Sequence, residues 1–276
     1  MKKFIADMHT HSYPASHDGL NTLPEMLAAA HSKGVEFYGV SNHFDYEYDI
    51  SKMSEEEYNS TRNGNEEEYF HTARHLQEDY EGVMNVAVGA EFGFGEDKDV
   101  QEMYLATYEK YRPDYVINSI HSEGGVDLSR RNYTESREET IRMYFDLVKA
   151  SLDAIYPYDI VGHFGYVCRY LPFEDNDLRL EEFGEEIDDV LKTIIKKDKI
   201  LELNTATKTL PWLSIPNMPI VRRYYELGGR KVCFGSDAHN TERILDKWDE
   251  VIATLKEIGF TYLTIPFKGE HIKLEI

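Results

Sequence analysis

A chain of 276 residues, 41% of them hydrophobic, is long enough to bury a sizeable core. Its 51 acidic against 30 basic residues give a formal net charge of −21, which argues against a nucleic-acid grip and against anionic lipid. Two cysteines, Cys168 and Cys233, make no disulfide framework and are expected as buried apolar residues.

Along the chain, short apolar runs alternate with longer amphipathic stretches. Charge follows Met1-Lys2-Lys3 before any long apolar stretch, and no run of 18 apolar residues occurs, so the expectation is a cytoplasmic protein without a membrane span. The first strand is expected at residues 4–7 and the first helix at 24–33, with Pro24 in its first turn and Gly34 closing it. Further strands are expected at 37–41, 83–90, 115–120, 160–162, 200–203, 232–235 and 262–265. Between and after them come helices at 66–80, 100–111, 135–152, 180–197, 218–227 and 241–258. The polar stretch 49–65 has no clear period and reads as a loop beside a strand end, a candidate lid. With no linker and no repeat, the alternation predicts one domain over residues 1–276, built on a mostly parallel sheet, open or closed into a barrel.

Chemistry-bearing residues sit where these strands end. His9 and His11 lie at i and i+2, so in extended backbone both imidazoles leave the strand on one face. His17-Asp18 follow in the next loop. The later strands end in His43, Glu91, His121, His163, Asn204 (with Glu202 inside its strand), and Asp237 with His239. Imidazole is the commonest metal ligand, and in a β/α barrel the C-terminal strand ends converge on one face. Seven of the 11 histidines fall at such places, which isolated coincidences do not explain. Of the others, His71 and His75 are i, i+4 among Glu66, Glu67, Glu68, Glu78 and Asp79, the pattern of a solvated helix face. His31 and His271 receive no role.

In order and approximate spacing, Asp7-Met8-His9-Thr10-His11, Ser41-Asn42-His43, Glu91, His121, Gly162-His163 and Gly235-Ser236-Asp237-Ala238-His239 resemble the motif set of the PHP (polymerase and histidinol phosphatase) family. Leu201-Glu202-Leu203-Asn204-Thr205, Arg169-Tyr170 after Gly162-His163, and Tyr225-Glu226-Leu227-Gly228-Gly229 are similar to its histidinol-phosphatase branch. Two positions depart from the pattern: Asn42 stands where an acid is usual, and Phe164-Gly165-Tyr166 follow His163. The resemblance implies a distorted (β/α)7 barrel with a trinuclear metal site. His9, His11, Glu91 and Asp237 would hold the first ion, Glu91, His121 and His163 the second, and His17, His43 and His239 the third. Imidazole and carboxylate without thiolate suit zinc, iron or manganese alike.

The activity so implied is metal-dependent hydrolysis of a small phosphomonoester by metal-activated hydroxide, most specifically of L-histidinol phosphate in histidine biosynthesis. Three divalent ions would make the pocket cationic on an acidic chain. Arg169, six residues after a ligand, is the candidate for neutralising phosphoryl charge; its competing description is a surface ion pair. Asp237 is a candidate proton shuttle to the leaving group, and Asp45 and Glu123, in ligand-bearing loops, are candidates for binding the substrate's amine or imidazole. Two alternatives remain open at this level: another PHP phosphoesterase acting on a nucleotide, oligonucleotide or phosphotyrosine, and a non-catalytic metal-binding regulatory module. Oligomeric state has no sequence signature here.

Overall fold

A computed structural model describes residues 4–55 and 65–276. In chain order its strands are β1 (Ala6–Asp7), β2 (Phe37–Val40), β3 (His43–Phe44), β4 (Asn85–Gly93), β5 (Tyr115–Ser119), β6 (Ser122–Glu123), β7 (Val126–Asp127), β8 (Ile160–Val161), β9 (Ile200–Asn204), β10 (Val232–Gly235), β11 (Tyr262–Phe267) and β12 (Glu270–Glu275). The helices are α1 (Leu23–Ser32), α2 (Glu66–Asp79), α3 (Lys98–Tyr111), α4 (Arg137–Ser151), α5 (Leu180–Lys196), α6 (Met218–Glu226) and α7 (Trp248–Ile258).

Seven strands pair in parallel in the order β1-β2-β4-β5-β8-β9-β10, with β3 extending the pairing along β4. Each succeeds the last through a helical crossover, which is why the strands run parallel and are buried on both faces. The ring then closes. Met8 N donates to Phe234 O at 2.9 Å, Asp237 N to His9 O at 2.8 Å and His11 N to Ala238 O at 2.9 Å. The buried Asp7 carboxylate reinforces this seam by accepting from the backbone of Ser236 (2.9 Å) and Leu245 (3.0 Å). The result is a nearly closed (β/α)7 barrel, as expected.

Inside the barrel, Tyr115 of β5 occupies space that two neighbouring strands leave open with Gly39 and Gly89. Its hydroxyl donates to Met8 O at 2.8 Å, tying the barrel wall to the strand that carries the first two histidines. A methyl at either glycine would overlap the Tyr115 side chain.

The strand expected at 262–265 is found at Tyr262–Phe267, outside the barrel, which seven strands already close. It forms instead an antiparallel hairpin with β12, through a turn in which Lys268 and Gly269 both have positive φ. The helix expected from 241 starts only at Trp248. Leu245 and Lys247 take left-handed backbone (φ 64° and 60°) as Asp7 draws the Leu245 amide to the seam. Of the loop 49–65, residues Ile50–Lys52 form a 3-10 turn. It is anchored by Asp49 N to Gly125 O (2.9 Å) and Lys52 Nζ to Gly124 O (2.7 Å), on the unanticipated β6–β7 hairpin. Residues 56–64, on which the lid expectation partly rests, lie outside the described residues. Among the described residues no helix is long and apolar enough to cross a membrane.

Replacing Gly89 by Ala should overpack the barrel against Tyr115 and cost about 1–3 kcal/mol. Urea unfolding measures this, and an unchanged midpoint would contradict the tight approach.

Candidate metal centre

His9 and His11 leave the end of β1 side by side, ring centroids 5.0 Å apart. Both aim their Nε2 atoms at carboxylates from distant strands. His9 Nε2 lies 3.2 Å from Glu91 Oε2 and 3.8 Å from Asp237 Oδ1; His11 Nε2 lies 3.5 Å and 3.3 Å from the same two atoms. An ion with ligand bonds of about 2.0–2.1 Å requires tetrahedral neighbours about 3.4 Å apart. The four imidazole–carboxylate distances, 3.2–3.8 Å, fall around that value, and His9, His11 and Asp237 together form a group that could hold an ion.

A second group shares Glu91. Its Oε1 is 3.1 Å from His121 Nε2 and 2.9 Å from His163 Nε2, and those two nitrogens are 3.4 Å apart. A third lies on the outer side. The His43 and His239 rings each stack against the His11 ring (4.1 and 4.3 Å) and lie 5.8 Å from each other, and Asp18 Oδ2 is 2.9 Å from His239 Nε2 and 3.7 Å from His43 Nε2.

The polar atoms themselves show what the site requires. His9 Nε2, His11 Nε2, His43 Nδ1 and Glu91 Oε2 are buried and make no hydrogen bond, although they crowd one another. Buried polar groups are normally satisfied, so these atoms fit a cation. Burial pulls the His9 imidazole pKa down, but the carboxylates of Glu202, Glu91 and Asp237 outweigh it and hold it well above its usual value. Burial likewise works against ionised Glu91, yet His9, His121 and His43 hold its pKa well below the carboxylate range. The donor set stabilises anions that only positive charge can offset.

Outer partners orient the rings. His9 Nδ1 is 2.6 Å from Glu202 Oε1 and His121 Nδ1 is 2.8 Å from Asp45 Oδ1, so each ring can donate outward and keep its Nε2 lone pair for the centre. A cavity of about 370 Å³ opens above, with His43, Glu91, His121, His163, Asp237 and His239 among its lining. Arg169, Tyr166, Tyr170, Asp127, Arg130, Lys208 and Arg243 form other parts of its wall.

A family model described as the PHP domain matches residues 7–206. The chain belongs to the PHP family. It is 30% identical over 250 residues to the probable histidinol-phosphatase of Clostridium acetobutylicum, covering 87% of this chain and 88% of that one. It is 26% identical to the histidinol-phosphatase of Lactococcus lactis, covering 99% and 97%. The crystal structure of histidinol phosphate phosphatase from Lactococcus lactis, complexed with zinc, L-histidinol and phosphate, shares the fold. Its TM-score is 0.84 at 22% identity, covering 99% of this chain and 100% of that one.

Within this PHP barrel the expected ligands lie together, except His17. That residue makes no hydrogen bond, ion pair or ring contact with them among the described residues, whereas Asp18 approaches His239 and His43. Residues 16–19 form a tight turn, Gly19 N donating to Ser16 O, so the alternation of side chains along a strand does not apply. Asn42 turns away from the centre: its Oδ1 accepts from Ser12 N (2.7 Å) and Ser16 Oγ (2.9 Å), a structural duty that needs no acid. Asp45, expected at the substrate, lies 2.8 Å through Oδ1 from His121 Nδ1 and does not line the cavity. Glu123 is paired with Arg131 at 3.0 Å and does not line the cavity. Arg169 is no surface ion pair. It is buried, donates to Asn204 Oδ1 (2.9 Å) and Asp237 Oδ2 (3.3 Å), and lies 4.7 Å from the centre of the Tyr166 ring. Sequence reasoning gave no role to Asp18, Asp127 or Glu202. Only the adjacency of Asp18 to His17, and the i, i+2 spacing of Glu202 and Asn204, signalled any of them.

The geometry predicts that Asp18→Ala lowers bound metal while His17→Ala leaves it unchanged. Metal analysis of the purified variants decides, and loss in the His17 variant alone would reverse the assignment.

Proposed function

We propose that this protein is a metal-dependent phosphomonoesterase that hydrolyses L-histidinol phosphate to L-histidinol and phosphate, the step expected in histidine biosynthesis. The observation that carries the reading is the set of convergent ligand atoms, spaced for cations, on the floor of a cavity flanked by a buried arginine. The names of the relatives from Clostridium acetobutylicum and Lactococcus lactis, and the ligands of the Lactococcus structure, support this substrate.

Three divalent ions, zinc, iron or manganese, are proposed for the centre. His9, His11, Glu91 and Asp237 would hold the first; Glu91, His121 and His163 the second; Asp18, His43 and His239 the third. Such ions polarise phosphoryl oxygens and acidify a water nucleophile. The chain's own residues do the rest. Arg169 presents its guanidinium to the phosphoryl group, where negative charge must be neutralised during in-line displacement. Asp237 Oδ2 and Asn204 Oδ1 aim that guanidinium, so Asp237 serves as its anchor more readily than as a free proton shuttle. Histidinol phosphate also carries an amine and an imidazole. Apart from the carboxylates given to metal, Asp127 is the acid lining the cavity among the described residues. Ser129 N (2.6 Å) and the Tyr48 hydroxyl (3.1 Å) fix its carboxylate, and Tyr166 and Tyr170 offer flat walls to a ring.

Metal-loaded protein should prefer histidinol phosphate over phosphotyrosine and a nucleoside monophosphate, losing activity to a chelator and regaining it on metal addition. Negligible turnover of all three would overturn the enzyme reading; preference for another substrate would overturn the specificity alone. Arg169→Ala should lower kcat/KM by about 100-fold. Asp127→Asn should raise KM for histidinol phosphate and leave that for an uncharged-alcohol phosphate such as p-nitrophenyl phosphate unchanged, a split that steady-state kinetics measures.

A further inference from the structure

Glu202 lies within β9, wholly buried, beside the strand that leads to His163 and with β10 between it and the strand that leads to His9. Both of its oxygens are engaged, each toward a different part of the centre. Oε1 is 2.6 Å from His9 Nδ1, and Oε2 accepts from the backbone amide of His163 at 2.6 Å. We infer that Glu202 is a positioning residue that couples the first two metal positions, holding the His9 ring and the His163 backbone in one register. The inference rests on the metal-centre reading given above.

Three observations carry it. First, a proton on His9 Nδ1 donated to Glu202 leaves Nε2 free to face Glu91 and Asp237, so the carboxylate selects the ligating tautomer. Second, His163 takes positive φ (20°), a backbone state that ordinary side chains avoid, and the Glu202 contact holds its amide there. Third, β10 supplies Gly235 beside the pair: a methyl there would overlap Glu202 Oε1 and crowd His9 Cβ. The same face of β9 continues the support, since Asn204 Nδ2 reaches Glu202 Oε1 (3.3 Å) and Asp237 Oδ2 (3.2 Å).

Glutamine is the informative replacement because it keeps shape and loses one acceptor. Its amide oxygen can serve His9 or His163; the NH2 then opposes a donor at the other. Glu202→Gln should therefore weaken metal retention by about 10–100-fold, read as the chelator concentration that strips half the bound zinc. Folded Glu202→Gln protein, its circular dichroism matching wild type, that keeps wild-type metal retention overturns the inference. A measurement on the wild-type protein needs no variant: with 15N-labelled histidine and bound zinc, His9 should show a protonated Nδ1. An unprotonated Nδ1 overturns the tautomer role. Wild-type protein that binds zinc but does not turn over histidinol phosphate defeats the proposed substrate and leaves these two readouts intact; protein that binds no divalent metal defeats both readings.

Discussion

Everything at this site is arranged around one buried carboxylate. Glu91 meets His9, His11 and His43 through Oε2 at 2.9–3.5 Å, and His121 and His163 through Oε1 at 2.9–3.1 Å. Ser119 Oγ donates to the same Oε1 at 2.6 Å. Removing a carboxylate from water costs several kcal/mol unless opposite charge and hydrogen bonds offset it. Five imidazoles from four segments of the chain can reach that carboxylate only if the strand ends converge, and a closed parallel barrel achieves this.

The barrel reaches that geometry by spending backbone conformation where function requires it. His163 and Asp237 both sit at positive φ (20° and 52°), although neither is glycine. Each is held by a specific contact: the Glu202 carboxylate on the His163 amide, and the bond from Asp237 N to His9 O. The strain is thus located at two ligands, each opposed by a bond from another strand, and for Asp237 that bond crosses the closing seam.

Charge follows the same logic at a larger scale. A chain of net charge −21 places Arg130, Arg169, Lys208 and Arg243 around one cavity, above carboxylates that attract cations. With metal cations held by those carboxylates, an anionic phosphoester would meet a local field opposite to that of the whole molecule. Burial of Arg169 over Tyr166 lowers the dielectric around its charge and strengthens its pull on an anion.

Much of this was written locally. Period-two spacing set His9 and His11 on one face, strand–helix alternation specified a mostly parallel sheet, and residue type chose the metal chemistry; these are short-range properties that a linear chain carries by itself, while closure into a seven-stranded barrel was implied by the ordered motif set. Tertiary structure decided the rest. A turn at 16–19 brought Asp18 beside His239, Arg131 captured Glu123, His121 claimed Asp45, and completion of a seven-stranded ring sent residues 262–267 into a hairpin with the tail. Glu202 was visible in its strand from the start. Its contacts to His9 and to the His163 amide span 193 and 39 positions, so which oxygen meets which of these groups follows from packing between strands and from no local pattern.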